Sequence, residues 1–430
     1  MGKTLSADAL VLAQRCHTSS KAYERRDIMP FNRCNREQDY ETAWRFFEEK
    51  YVVHKEMYYI VTSENLKIGI ALSGGGIRAT IFHLGVLKWM AENSLLDKTS
   101  YISTVSGASL CVGLIYSCND LKWPGNEDFR GHVLERVKEV ILNSDIQNSA
   151  LLRVFPFWLT RKANLLAKVF EKKWNINGTF SDIDDFPTWC VNCTTYETGK
   201  RFHITQKTIG DYAIGYADNH HFRISDAMAA SAGFPFLIGP YRIKRKQFNW
   251  SNPTHEIKDE LIDAHFSRRR HYHLWDGGVY DNLGIESIFK IGGASGGHFN
   301  VPVNYIIVSN AGAVSGSKRR IWTSNPKRLL DIAMNQVVSL RSRIIVSYMQ
   351  SEKSGLFLNI GNCAGYILEE TDVSDDIKLN LVNECLSKEH TSYVRSYNTN
   401  LKKPSVEDFD LILQHGYEVA KCTSLAYNQF

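Results

Sequence analysis

The chain has no uninterrupted apolar run of the ~18 residues that a membrane-spanning helix needs. Its longest early apolar stretch, Ala9-Leu10-Val11-Leu12-Ala13, is too short for a secretory signal and has no cleavage pattern after it. A cytoplasmic protein that touches membranes only from the surface is therefore expected. Charge of one sign is also scarce. A net charge of +5 over 430 residues is compatible with an anionic surface but too weak to argue for a nucleic-acid polymer as partner. Nine irregularly spaced cysteines exclude a secreted disulfide framework. Cys190-Val191-Asn192-Cys193 is a lone pair with no second pair at zinc spacing, and it falls in a strand-like stretch, so both cysteines read as packing residues. No Asp-rich calcium loop, dinucleotide-binding G-x-G-x-x-G or phosphate-binding G-x-x-x-x-G-K-[ST] occurs. No metal or cofactor is expected.

What is present centres on Lys67 to Gly113. Ile68-Gly69-Ile70-Ala71-Leu72 reads as a strand buried on both faces. Ser73-Gly74-Gly75-Gly76 breaks it, and a helix follows with Phe82, Val86, Leu87 and Met90 near helical spacing. Tyr101–Val105 reads as a second strand, Ser106-Gly107-Ala108-Ser109 as a sharp turn, and Leu110 to Tyr116 as the opening of another helix. Consecutive glycines let backbone N–H groups approach an anion, because no Cβ intervenes. The helix start after them adds a positive end. A serine at a strand-to-helix turn can be held out as a nucleophile. One turn could then hold an oxyanion while Ser109 attacks a carbonyl.

Gly74-Gly75-Gly76-Ile77-Arg78, then Gly107-Ala108-Ser109, then Asp276-Gly277-Gly278 stand in the order of the patatin-like phospholipase family, which this chain resembles over about Lys67 to Ala313. Cys111 stands where the family's elbow pattern has its last glycine. The resemblance implies a doubly wound α/β fold, a mostly parallel sheet with helices on both faces. It implies a lipid acyl hydrolase of phospholipase A type, with phospholipid as substrate. Ser109 would be the nucleophile and Asp276 its proton acceptor. Gly74, Gly75 and Gly76 would form the oxyanion hole, with Arg78 buttressing that loop. Residues 1–66, polar with helical stretches, read as an N-terminal helical extension, and 67–430 as the catalytic domain. A cap falls at about 121–183 and a C-terminal helical part at about 325–430.

Elsewhere, an amphipathic helix is expected over Tyr40 to Val53, and others over Phe129 to Leu142, Arg328 to Gln350 and Phe409 to Ala420. Leu151 to Leu159 is rich in large apolar side chains, and a basic amphipathic stretch follows it through Lys173. Ile224 to Pro235 reads as a small-residue helix with Ser225 as N-cap. Lys244-Arg245-Lys246 and Arg268-Arg269-Arg270 bracket an exposed insertion, Gln247 to Phe266. A Ser-His-Asp triad using His83, His271 or His273 is a competing hydrolase arrangement. A non-catalytic lipid- or nucleotide-binding module, encouraged by Cys111, is a reading from another class. A third, suggested by likeness to a bacterial antiphage branch of the family, is an effector phospholipase switched on by a cyclic nucleotide.

Overall fold

A computed structural model of the protein describes residues 65–149, 162–235, 237–251, 269–292, 296–312, 326–369, 371–427 and 429–430. The expected helix over Tyr40 to Val53 and the apolar run Leu151 to Leu159 lie outside these residues, as does most of the insertion Gln247 to Phe266. Ser63–Phe430 forms one compact unit.

A ten-stranded sheet runs through that unit. Its strands are β1 (Ile68–Leu72), β2 (Thr99–Val105), β3 (Thr188–Thr195), β4 (Arg201–Ile204), β5 (Thr208–Asp211), β6 (Gly215–Asp218), β7 (Tyr241–Lys244), β8 (His271–Asp276), β9 (Tyr305–Asn310) and β10 (Gly355–Asn359). Five of them, in the order β10-β9-β1-β2-β3, pair in parallel. Beyond β3 the sheet continues as antiparallel β4-β5-β6. The principal helices are α1 (Gly76–Glu92), α2 (Gly107–Cys118), α3 (Lys162–Lys173), α4 (Ile224–Ser231), α5 (Pro326–Glu352) and α6 (Val406–Ala426).

The parallel strands read as continuous apolar runs because both faces are covered. Ile68, Ile70 and Leu72 join one core with Phe82, Leu84, Phe409 and Ile412, whereas Ala71 faces the other way into a core with Ile288, Val308, Ile345 and Met349. The two-residue period of β1 thus assigns α1 and α6 to one face and α5 to the other, the doubly wound arrangement. Cys190 and Cys193 are both buried on β3, and their odd spacing turns them to opposite faces.

α1 lies at the centre of its layer, buried along almost its whole length. It meets α6 backbone to backbone. A methyl on Gly85 would lie 2.0 Å from the Leu413 carbonyl oxygen, and one on Gly416 would lie 2.0 Å from that of Phe82. Gly416→Ala is expected to force the helices apart and cost about 1–3 kcal/mol or more, read as a lowered midpoint in thermal or denaturant unfolding.

Two local expectations need correction. Ser225 is not the cap of α4: the helix starts at Ile224 with Arg223 before it, and the Ser225 hydroxyl donates to Glu171 (2.7 Å). The segment after α5 is also not purely helical. β10, with Leu356 and Leu358 buried, adds a parallel edge strand beside β9. Among the described residues no helix is long and apolar enough to cross a membrane.

The pairing of β3 positions the site. Its first half takes β2 as a parallel neighbour, ending with Val105 opposite Asn192. Its next residue, Cys193, lies opposite Asp276 of antiparallel β8. β8 therefore occupies the lane that β2 vacates, and the last residue of β8 meets the first residue after β2.

Candidate active site

That first residue is Ser106. It joins β2 directly to α2 and holds φ 51° and ψ −115°. A positive φ is uncommon for a side chain larger than glycine and costs on the order of 1–3 kcal/mol, so it persists only where surroundings enforce it. The enforcement is visible. The Ser106 N–H donates to Ser231 Oγ of α4 (2.8 Å), and Ser231 in turn donates to the Asn192 carbonyl (2.8 Å). The following residue must be glycine. A methyl on Gly107 would lie 2.2 Å from the carbonyl oxygen of Gly76 and 2.8 Å from its nitrogen. This near-contact brings the glycine loop against the elbow. Thr80 Oγ1 pins the pair by donating to the Gly107 carbonyl at 2.8 Å.

Asp276 is 3% exposed. Its Oδ1 accepts the Gly278 N–H at 2.7 Å, and the Ser106 side chain stands beside the carboxylate and favours its charged form. Burial raises its pKa to about 6, against the opposing pull of Gly278 and Ser106. The carboxylate is thus a stronger base than a solvated aspartate, yet ionised at neutral pH. A strained hydroxyl beside such a carboxylate is an arrangement that can transfer a proton and attack.

Ser109, expected to face Asp276, does not. α2 begins at Gly107, three residues earlier than the sequence suggests, so Ser109 sits inside the first helical turn. It is fully buried, with Oγ 2.9 Å from Thr104 Oγ1 and 3.0 Å from Ser231 Oγ. Thr104 also accepts the indole N–H of Trp189 (3.0 Å), which makes this a packed polar contact behind the elbow. Cys111 is likewise fully buried, within α2, and burial holds its thiol protonated.

The glycine loop is only partly free. Gly74, expected in the oxyanion hole, has its N–H engaged by the Asn282 carbonyl (3.1 Å). The Ile77 N–H is likewise spent on Asn400 (2.9 Å). Gly75 and Gly76 lie between these anchors at the start of α1. Gly76 has φ 63°, and a methyl there would lie 2.6 Å from the Asn400 carbonyl. Arg78 is 3% exposed and donates to three backbone carbonyls: Arg395 (3.2 Å), Tyr397 (2.7 Å) and Ala311 (2.9 Å). It straps the loop's helix to the ends of distant segments, and burial lowers its pKa to about 10.

His83 bridges Ser73 and Ser309 at the ends of β1 and β9, each at 2.9 Å, and burial pushes its pKa down to about 4. His273 pairs with Glu197 (2.7 Å), and His271 lies against Arg242. Asp281 organises the next turn by accepting the N–H groups of Leu283 and Glu286. Sequence reasoning did not single out Ser106 or Asn282, and it read Ser231 as a small-residue contact within its helix. For Ser106 the available signal was its place immediately after an apolar strand and before a glycine.

The sequence pattern of the Patatin-like phospholipase family matches residues 70–289, just over half of the chain. Human cytosolic phospholipase A2 gamma is 42% identical over 50 residues, and the match spans 12% of this chain and only 9% of that protein. The solved structure of human GIVD cytosolic phospholipase A2 is similar with a TM-score of 0.48 and 13% identity, covering 93% of this chain and 68% of that one. The same human protein in complex with methyl gamma-linolenyl fluorophosphonate inhibitor and terbium chloride gives a TM-score of 0.42 and 13% identity over 84% of this chain and 60% of that one. The family match spans the glycine loop, the elbow and Asp276 together: the chain belongs to the patatin-like phospholipase family.

Proposed function

We propose that the protein is a serine acyl hydrolase that cleaves fatty acyl esters of membrane phospholipids, with Ser106 as nucleophile and Asp276 as its base. The observation that carries this reading is the strained elbow at Ser106 beside a buried carboxylate of raised pKa. Ser106 Oγ attacks the ester carbonyl, and Asp276 takes its proton. Negative charge develops on the carbonyl oxygen beside the Gly75 and Gly76 N–H groups and the positive end of α1. As the tetrahedral species collapses, Asp276 returns the proton to the departing alcohol and an acyl-serine remains. Water, deprotonated by the same carboxylate, releases the fatty acid. No histidine is needed as relay, because the carboxylate itself stands beside the hydroxyl.

Acyl release from mixed phospholipid vesicles, read by mass spectrometry for wild type and Ser106→Ala, tests the reading. Free fatty acid and lysolipid are expected from wild type alone. Equal release by both proteins would remove Ser106 from the chemistry, and release by neither would remove the hydrolase reading. The base must be ionised to act, so kcat/KM should fall about tenfold per pH unit below pH ~6 and level off above it. A pH–rate profile with no inflection near there would rule out Asp276 as base.

A further inference from the structure

β7 and β8 form an antiparallel hairpin in which Lys244 lies opposite His271 and Arg242 opposite His273. Tyr241 and Ile243 are buried, and the alternate residues Arg242 and Lys244 point the other way. Beside them is a cleft of about 340 Å³, lined by His221, Arg223, Asp226, Arg242, Lys244 and His271 among others. Among the described residues Asp226 is the only carboxylate in that lining, and Arg223 occupies it through two contacts of 2.7 and 3.0 Å. Arg223 also pairs with Glu171 at 2.7 Å. Arg242 and Lys244 have no carboxylate within ion-pair distance among the described residues. Asn164 grips the Arg242 backbone through both its amide atoms, at 3.1 and 3.2 Å, and His271 lies against the Arg242 guanidinium at 2.7 Å. The cleft is thus a polar cavity with two cations that have no carboxylate partner among the described residues.

We propose that this cleft binds a phosphomonoester, that of an anionic lipid headgroup, through Arg242 and Lys244. A guanidinium fork beside an ammonium matches a doubly charged phosphate better than it matches a single carboxylate. The place in the fold favours a lipid. β8 extends past the end of β3 toward His271, on the edge of the sheet where β2 delivers Ser106. Lys246 and Arg270 are exposed at the same end of the hairpin. An anionic surface approaching that edge meets the basic end of the hairpin as well as the elbow. His271 and Asp276 are five residues apart on one strand, roughly 16 Å at ~3.3 Å per residue. A headgroup held there stands apart from the ester at the elbow, so the cleft serves as an anchor for an anionic lipid, not as the acyl site. The choice of a lipid over a soluble phosphate rests on the hydrolase reading; the anion site does not.

Binding measured on full-length Ser106→Ala separates the two ideas, because no hydrolysis enters the readout. Co-sedimentation with phosphatidylcholine vesicles carrying about 5 mol% phosphatidylinositol 4-phosphate is expected to exceed that with phosphatidylcholine alone by about tenfold. Soluble inositol 1,4-bisphosphate should compete for the bound protein. Adding Lys244→Gln, at an exposed position, should lose most of the preference, and Arg242→Gln the remainder. Calorimetric binding of inositol bisphosphate without vesicle preference, but lost in the same variants, would keep the phosphomonoester site and reassign its ligand to a soluble molecule. Equal sedimentation with both vesicle types and no heat with inositol bisphosphate would overturn the proposal. So would a full preference retained in the Lys244→Gln protein and in a folded Arg242→Gln protein.

Discussion

Ser106→Ala is expected to lower kcat for ester hydrolysis by on the order of 10⁴-fold or more, the loss typical when a nucleophile is removed from a serine hydrolase. Ser109→Ala, three residues away, is expected to stay within about tenfold of wild type. The contrast follows from where each hydroxyl points. Ser106 lies at a strained turn against the Asp276 carboxylate. Ser109 is enclosed between Thr104 and Ser231 with no exposed surface. Removing its hydroxyl deletes a buried hydrogen bond and should cost about 1 kcal/mol of stability instead of catalysis. Initial rates on a soluble short-chain ester, with unfolding curves for both variants, check the pair.

Asp276→Asn is expected to separate activity from stability in opposite directions. Asparagine keeps the oxygen that accepts the Gly278 N–H but cannot take a proton, so kcat should fall by about 10²–10⁴-fold. Stability should move the other way. The carboxyl is buried, and its pKa stands at about 6 in the folded chain against an ordinary value of 3.8. Between those values the folded chain holds a proton that the unfolded chain has released, so stability declines as pH rises from about 4 to about 6. Above that the folded protein carries a charge that burial disfavours. The substituted amide carries none, so the variant should unfold later than wild type at pH 8, by on the order of 1–3 kcal/mol, with the difference vanishing near pH 4. Urea unfolding at the two pH values measures it.

The fold was legible where the sequence carries unambiguous physics. The apolar run of β1 and the helical period of α1 are dictated by burial, and the long pattern of α5 by its periodicity. β10 was missed because a five-residue edge strand in polar surroundings has too few apolar positions to show a period. Ser225 misled because a serine before an apolar run is a common cap, but here Glu171 supplies its partner from another element. The turns at the glycine loop and after Asp276 were legible because both need glycines that a close approach demands. The proposed nucleophile stands three residues before the expected one for one reason. Where a strand runs straight into a helix, local pattern fixes the presence of the turn but not its register. That register is set by Ser231, by the Gly107–Gly76 near-contact and by the handover from β2 to β8 along β3, all of them long-range contacts. The engagement of the Gly74 N–H was likewise invisible, since it depends on the carbonyl of Asn282, over two hundred residues later.

The measurement that bears most directly on the proposed chemistry is covalent trapping with an acyl-chain fluorophosphonate, with the modified residue located by peptide fragmentation. A phosphonyl adduct on Ser106 is the expected result, formed by wild type and by Ser109→Ala, absent from Ser106→Ala and much slower in Asp276→Asn. An adduct on Ser109, or trapping that persists unchanged in Ser106→Ala, would contradict the assignment of the elbow serine.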